Sequence, residues 1–380
     1  MEIALSGAFW GQRATGSGQY VHTLLEALLK VAPEHRYRVY VPSYVALKAE
    51  PPGVEVIPLG APHSERTRDL AKLWFEQWAL PRACRRDGIV LLHVPYFAPI
   101  LDTRALRPIV TIHDVIPLIL PAYRGSWRIR AYLRLVCHAA RRARLIITDS
   151  HASARDIQTL LHIPSDRLRV IHLAADARYR PPDAGTIAAL KARLGLPSEY
   201  LLYLGGFDRR KNIPELLQAY AAARASAGEL MPLVIAGKLP AQDTFFTPDP
   251  RRIARELGVE NYVRFTGWVE EEDKPALYGG AWAFLFPSRY EGFGLPVLEA
   301  ISCGTPAIVA SGSSLEEVAG PAALVVPPND VPVLAEAIRR IALEGDLRAH
   351  LAAATQAQAA RFSTHEMALK TLQTYQEALT

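Results

Sequence analysis

Cysteine is scarce in this chain, with only Cys84, Cys137 and Cys303 among 380 residues. They are odd in number and scattered, and no CxxC pair or metal-ligand spacing relates them. This excludes a disulfide framework and a cysteine-built metal centre, and leaves small buried apolar side chains as their reading. His113 is followed by Asp114, but no second histidine completes a helical metal pair, so no metal site is expected. No apolar run is long enough to span a bilayer. The opening residues, Met1-Glu2-Ile3-Ala4-Leu5-Ser6-Gly7, lack the form of a secretory signal and read as a buried first strand; the expected location is the cytoplasm. A complete G-x-G-x-x-G is missing too, so Gly16-Ser17-Gly18 does not mark a dinucleotide site. What is present is ordinary for a globular protein. Half of the chain is hydrophobic and 21% is charged, enough to bury a large core and too little charge for disorder. The net charge of +5 permits nucleic acid, anionic lipid or phosphorylated substrates as partners without selecting one; nucleic acid is not expected.

Strand-like and helix-like segments alternate from end to end. Residues 3–5, 38–41, 109–112 and 145–148 are short β-rich apolar runs, each fitting a strand buried on both faces. Between them, residues 20–31 and 127–143 place apolar side chains three and four apart, as amphipathic helices do. Arg180-Pro181-Pro182-Asp183-Ala184-Gly185 breaks the pattern and reads as a linker. The alternation then resumes with strands at 201–204, 233–236, 262–265, 283–286 and 307–310, and helices at 216–223, 253–257 and 333–343. The expectation is an α/β chain of two Rossmann-like, doubly wound domains facing across a cleft, at 1–182 and 183–362. A last amphipathic helix, at 363–380, is expected to return to the N-terminal domain. Ligands of such sheets bind at the carboxyl ends of strands, where helix N-termini present bare N–H groups.

The strongest pattern follows the strand at 283–286: Ser288-Arg289-Tyr290-Glu291-Gly292-Phe293-Gly294-Leu295-Pro296-Val297-Leu298-Glu299-Ala300. Gly292 and Gly294 bracket a tight turn, and Pro296 suits the first turn of a helix. The N–H groups near Leu295 and Val297 would face whatever sits above the turn, a position that suits a diphosphate. Glu291 before the turn and Glu299 inside the helix can each accept hydrogen bonds from vicinal hydroxyls. The plain alternative is a capped helix with two surface acids. A second pattern, Gly205-Gly206-Phe207-Asp208-Arg209-Arg210-Lys211-Asn212, puts adjacent cations at a strand end, where they could neutralise a leaving diphosphate or form a solvated turn. His113-Asp114 ends another strand, and Ala14-Thr15-Gly16-Ser17-Gly18 makes a glycine-rich entry to a helix.

These segments resemble retaining glycosyltransferases of GT-B architecture, in the large group that contains bacterial mannosyltransferases. The pattern of two glutamates eight apart, E-G-F-G-L-P-x-L-E-A followed by G-T-P, stands here unbroken as 291–300 and Gly304-Thr305-Pro306. The resemblance implies that Glu299 holds the nucleotide ribose and Glu291 the hydroxyls of the donor sugar. Backbone N–H groups at Phe293, Gly294 and Leu295 would touch sugar or phosphate. Arg210 and Lys211 fall on the diphosphate clamp, and Gly206 stands where many members carry arginine. His113 would contact the donor sugar, with Asp114 either orienting its ring or structural. Gly16 and Gly18 match the glycines of the loop at the cleft.

The expected activity is metal-independent transfer of a hexose, mannose- or rhamnose-like, from a GDP- or UDP-sugar to a glycan or lipid-linked acceptor, with no cofactor. A nucleotide-sugar epimerase, a phosphorylase or a non-catalytic nucleotide-sugar binder of the same architecture are the alternatives. Finally, the helix carrying Arg128, Arg130, Arg134, Arg141, Arg142 and Arg144 has no acid among them. It is either a solvated face or a contact for a phosphorylated acceptor or for the anionic inner face of the membrane.

Overall fold

Six four-residue runs, among them Leu91–Val94, Leu201–Leu204 and Ala283–Phe286, are buried at every position. A strand reaches that state only with a layer on each face, which parallel sheets obtain from their crossover helices. The computed structural model describes residues 1–12, 15–45, 52–60 and 68–380. These divide into two compact units, Met1–Leu173 with Ser363–Thr380, and Ala174–Phe362.

The first unit holds β1 (Glu2–Ser6), β2 (Arg36–Pro42), β3 (Val54–Leu59), β4 (Leu91–Val94), β5 (Arg107–Thr111), β6 (Leu145–Thr148) and β7 (Leu168–Val170). They form one parallel sheet in the order β3-β2-β1-β4-β5-β6-β7. The order reverses between β1 and β4, which makes that junction the topological switch point where doubly wound sheets bind ligands. The sheet's core gathers Ala4, Tyr40, Leu92, Val110 and Ile146 with Phe75, Leu80 and Ile157 from its helices. Each of the larger aliphatic and phenyl side chains contributes roughly 1.5–3 kcal/mol by leaving water. Helix Thr364–Leu379, capped by the Ser363 hydroxyl, packs along helix Gly16–Val31. Its buried stripe runs Met367, Ala368, Thr371, Leu372, Tyr375 and Ala378, the spacing of one helical face. Glu377 pairs with Arg169 of β7 at 2.7 Å.

The second unit holds β8 (Leu201–Leu204), β9 (Leu233–Ala236), β10 (Val263–Gly267), β11 (Ala283–Phe286), β12 (Ala307–Ala310) and β13 (Ala323–Val326). Its order, β10-β9-β8-β11-β12-β13, repeats the topology of the first sheet, with the switch point between β8 and β11. The division between the units falls after Leu173, ahead of the Pro181-Pro182 pair. Residues 174–182 are held by the second unit: Tyr179 donates to Glu271 at 3.2 Å, and the Pro182 ring packs on Gly279, where a Cβ would lie 2.5 Å from it.

Candidate functional site

In the second unit both loops at the switch point carry the residues singled out by sequence. After β8 the chain passes Gly205 and Gly206 into a 3-10 turn, Arg209–Lys211, and enters helix Ile213–Ala227 through Asn212. After β11 it passes Ser288 to Gly294 and enters helix Leu295–Ser302. The two loops share several hydrogen bonds, and the charged ones centre on one carboxylate. Glu291 takes the Lys211 ammonium on Oε1 at 2.7 Å and the Arg210 guanidinium on Oε2 at 2.5 Å. The Ser288 hydroxyl donates to Oε1 at 2.6 Å. Arg210 Nη1 also donates to the Tyr290 carbonyl at 2.9 Å, and Lys211 Nζ lies 4.7 Å above the Phe286 ring. Burial pushes the Glu291 carboxyl up, but Lys211 and Arg210 outweigh it and hold the group below its ordinary range. Glu291 thus stands ionised between two cations, each of the three side chains about one-eighth exposed, and Asp208 lies 3.6 Å from Arg210 Nε on the other side.

The turn itself is built for backbone approach. Gly294 has φ +106, and a Cβ there would stand 2.6 Å from Leu315. The Ser314 hydroxyl lies 2.9 Å from the Glu291 carbonyl and 2.7 Å from that of Phe293, lacing the loop from the other side. Val297 N–H closes back onto the Gly294 carbonyl at 2.9 Å. Of the two helix-start amides that the sequence offered for a ligand, the one at Val297 is therefore spent on the turn. Gly206 differs from Gly294: a Cβ there meets only the Asp208 carboxylate, at an ordinary 3.7 Å.

Glu299 sits apart from this pair. It is 7% exposed, and Tyr278 donates its hydroxyl to Oε2 at 2.8 Å. Burial pushes its carboxyl up to about 7 against the opposing pull of Lys274 and Tyr278. Tyr179 crosses Tyr278 edge-on at 6.1 Å and completes the wall beside it.

In the first unit, His113 lies just past β5, next to the β1/β4 switch point. Its Nδ1 is 2.7 Å from Asp149 Oδ2 and its Nε2 is 3.3 Å from the Pro95 carbonyl. Tyr20 stands edge-on to the ring at 4.9 Å. Both ring nitrogens face acceptors, which favours the doubly protonated imidazolium. Burial lowers its proton affinity, and Asp149 more than restores it, leaving the ring's pKa above its usual value. The orienting acid is therefore Asp149. Asp114 instead accepts from Ile116 N–H at 2.9 Å and starts the next turn. Gly18 lies in the first turn of helix Gly16–Val31, its N–H donating to the Thr15 cap; a Cβ on it would stand 2.1 Å from the Gln12 carbonyl, so the chain folds back there at backbone contact. Gly16 has open space around it, and Ala14 lies outside the described residues.

Sequence reasoning missed Asp149, Ser314 and Tyr278, and gave Ser288, at the head of the strongest pattern, no role of its own. One signal was available. β5 and β6 pair with Thr111 level with Ile147, so two residues further on His113 is level with Asp149.

Two family models match the chain. Residues 14–179 match "Glycosyltransferase Family 4" and residues 189–358 match "Glycosyl transferases group 1". The O-antigen chain mannosyltransferase B of Escherichia coli is 34% identical over 79% of this chain and 76% of its own length. The serotype-specific mannosyltransferase WbdA of the same species is 32% identical over 69% of this chain, which spans only 32% of that longer protein. Among solved structures, sucrose-phosphate synthase from Thermosynechococcus elongatus superposes with a TM-score of 0.77 over 100% of this chain and 99% of its own, at 22% identity.

Proposed function

Since the chain belongs to the group 1 glycosyltransferases and has their GT-B pair of Rossmann-like domains, we propose that it transfers a mannosyl residue, with retention of configuration, from a nucleoside-diphosphate sugar to a hydroxyl of a glycan acceptor. The observation that carries this reading is the cluster of Arg210, Lys211 and Glu291 at the β8/β11 switch point. Breaking the bond from the anomeric carbon to the diphosphate leaves its electron pair on a phosphate oxygen and an oxocarbenium-like sugar. Arg210 and Lys211 stabilise that growing negative charge more than they stabilise the donor, and this lowers the barrier. Glu291 holds both cations in place and keeps a lone pair on Oε2 for a sugar hydroxyl. Glu299 accepts from the ribose diol. His113, held by Asp149, is assigned to the donor sugar. The acceptor hydroxyl attacks on the face the diphosphate leaves, and its proton passes to the departing phosphate. No metal is required in this scheme. Mannose is favoured by the mannosyltransferase relatives; the base is guanine or uracil.

The test is incubation with GDP-mannose or UDP-hexoses and a mannose-terminated oligosaccharide, with the anomeric configuration of the product followed by NMR. Release of nucleoside diphosphate coupled to an α-linked product from an α-linked donor is expected. Turnover of donor alone to an epimer, or product formation only with inorganic phosphate, would replace this reading with an epimerase or a phosphorylase.

A further inference from the structure

In the first unit, Arg68–Trp74, Phe75–Ala79 and Leu80–Arg86 are consecutive turns of one helical segment, the middle stretch wound as a π-helix. Its inward face buries Phe75, Glu76, Ala79 and Leu80. Along its other side Trp74, Trp78 and Arg82 follow one another at intervals of four. The two indoles lie 4.9 Å apart at 41°, and the Arg82 guanidinium lies 5.1 Å over the Trp78 ring. Trp78 remains 51% exposed, a large aromatic surface to leave in water. These side chains, with Leu59 at the end of edge strand β3, line an open groove of about 670 Å³. That volume falls in the range of roughly 300–1,000 Å³ typical of small-ligand sites.

The charge around the groove narrows its occupant. Arg85 is paired with Asp102 at 2.7 Å and Arg86 with Asp87 at 2.7 Å, so two of the three arginines lining it are already neutralised. What remains is aromatic surface beside guanidinium donors. A sugar ring matches that combination: its C–H face lies on an indole, and its hydroxyls accept from N–H groups. A strongly anionic ligand would want the arginines unpaired, and a flat lipid surface would not fill a concavity.

We propose that the Trp74–Trp78–Arg82 groove is a saccharide-binding subsite that holds sugars of the acceptor chain beyond the one that reacts. This rests on the glycan-acceptor reading above. It implies that longer acceptors bind better than short ones, through this groove rather than through the donor site.

The experiment compares wild type with Trp78→Ala and Arg82→Ala, using α-linked mannose oligosaccharides of increasing length and the monosaccharide. Melting curves confirm that the variants fold, and Trp78→Phe retains a ring as control. In Trp78→Ala, KM for the long acceptor is expected to rise about tenfold, a change worth one aromatic contact, while kcat and donor KM hold. The monosaccharide KM should stay as it was, and Trp78→Phe should recover part of the loss. Binding of the oligosaccharide without donor, read by indole fluorescence, should fall in parallel. An unchanged length preference overturns the proposal. So does loss of binding to anionic vesicles, or of self-association, with oligosaccharide affinity intact, since the groove would then face lipid or a second copy. If wild type binds the oligosaccharide at Trp78 but transfers no sugar to any acceptor, the catalytic reading fails and the subsite stands.

Discussion

Glu299 is a buried carboxyl whose proton affinity is tied to what it does. Its pKa is pushed up to about 7 by burial, and only the ionised form accepts from both hydroxyls of a ribose. Nucleotide affinity is therefore expected to strengthen between about pH 6 and pH 8, and Glu299→Gln should flatten that profile while weakening binding by roughly tenfold to a hundredfold, the range for a hydrogen bond to a charged group. Stability moves the other way. The folded chain holds this proton more tightly than the unfolded chain, so the group costs stability as pH rises from about 4.5 through 7. Without nucleotide, Glu299→Gln should melt higher than wild type at about pH 8. Calorimetric titration and melting curves at both pH values check the two signs. A nucleotide affinity equal to wild type in the Gln variant removes the ribose role. The acid itself was legible in the sequence, because its spacing from Glu291 across a glycine turn is long and specific. Its raised proton affinity was not, since that comes from burial, which the fold imposes, against the opposing pull of Lys274 and Tyr278 from a helix more than twenty residues earlier. His113 shows the same limit. Its neighbour in sequence is Asp114, but its partner is Asp149, brought level by the pairing of β5 with β6.

At the scale of elements, buried strands were the easiest to read and edge strands the hardest. β3 carries Pro58 and lies at the sheet's edge, where a missing N–H is tolerated. β7 is three residues long, and β13 is largely half-exposed. β3 and β7 are interrupted by charged Glu55 and Arg169, and β4 by His93, while β13, Ala323–Val326, is apolar throughout but only four residues long. That histidine is fully buried, with Nδ1 2.7 Å from the Tyr375 hydroxyl on the C-terminal helix and Nε2 2.8 Å from Thr111. The arginine-bearing helix is a sharper case. Helix Trp127–Ala140 buries only Val136, Ala139 and Ala140 and leaves Arg128, Arg130 and Arg134 exposed beside Trp127 and Ile129. Arg141, by contrast, donates to the Leu161 carbonyl at 2.9 Å and belongs to the fold. The arginines that could meet an anionic acceptor are therefore the first three. Their field reaches about 8 Å at physiological salt. Replacing Arg128, Arg130 and Arg134 by Gln is expected to raise KM for a phosphate-bearing or lipid-linked acceptor several-fold at low salt and to flatten its salt dependence, with donor KM unchanged. Steady-state kinetics across a salt series, with vesicle sedimentation alongside, make the check. Wild-type behaviour in both would return this helix to a solvated face.

At the scale of the molecule, the same six-strand order is used twice, extended by one strand in the first unit; in the second unit the chemistry-bearing loops leave the sheet where that order reverses, while in the first His113 and Asp149 follow β5 and β6 beside the reversal. The duplication was legible as two rounds of alternation, although no sequence repeat relates them, because a parallel sheet constrains burial more than identity. In the second unit the carboxylates at the switch point are already committed. Glu291 is paired to Arg210 and Lys211, and burial pushes the Glu299 carboxyl up to about 7. On the proposed reading, Arg210 and Lys211 supply the positive charge that a divalent ion would otherwise bring to the diphosphate. Nucleoside diphosphates should therefore stabilise the protein with a chelator present as well as without one. At a concentration of a hundred times Kd the gain is about 2.7 kcal/mol, which for a unit of this size moves the melting point by about 5–10 °C. The shift should appear in the transition of Ala174–Phe362, with GDP and UDP compared in parallel to identify the base. Two results decide it. A shift of equal size with and without EDTA assigns the diphosphate to Arg210 and Lys211, and replacing both by Met should then abolish it. A shift that disappears in EDTA and returns with Mg²⁺ or Mn²⁺ means that the clamp alone does not hold the diphosphate, and metal-independent transfer goes with it.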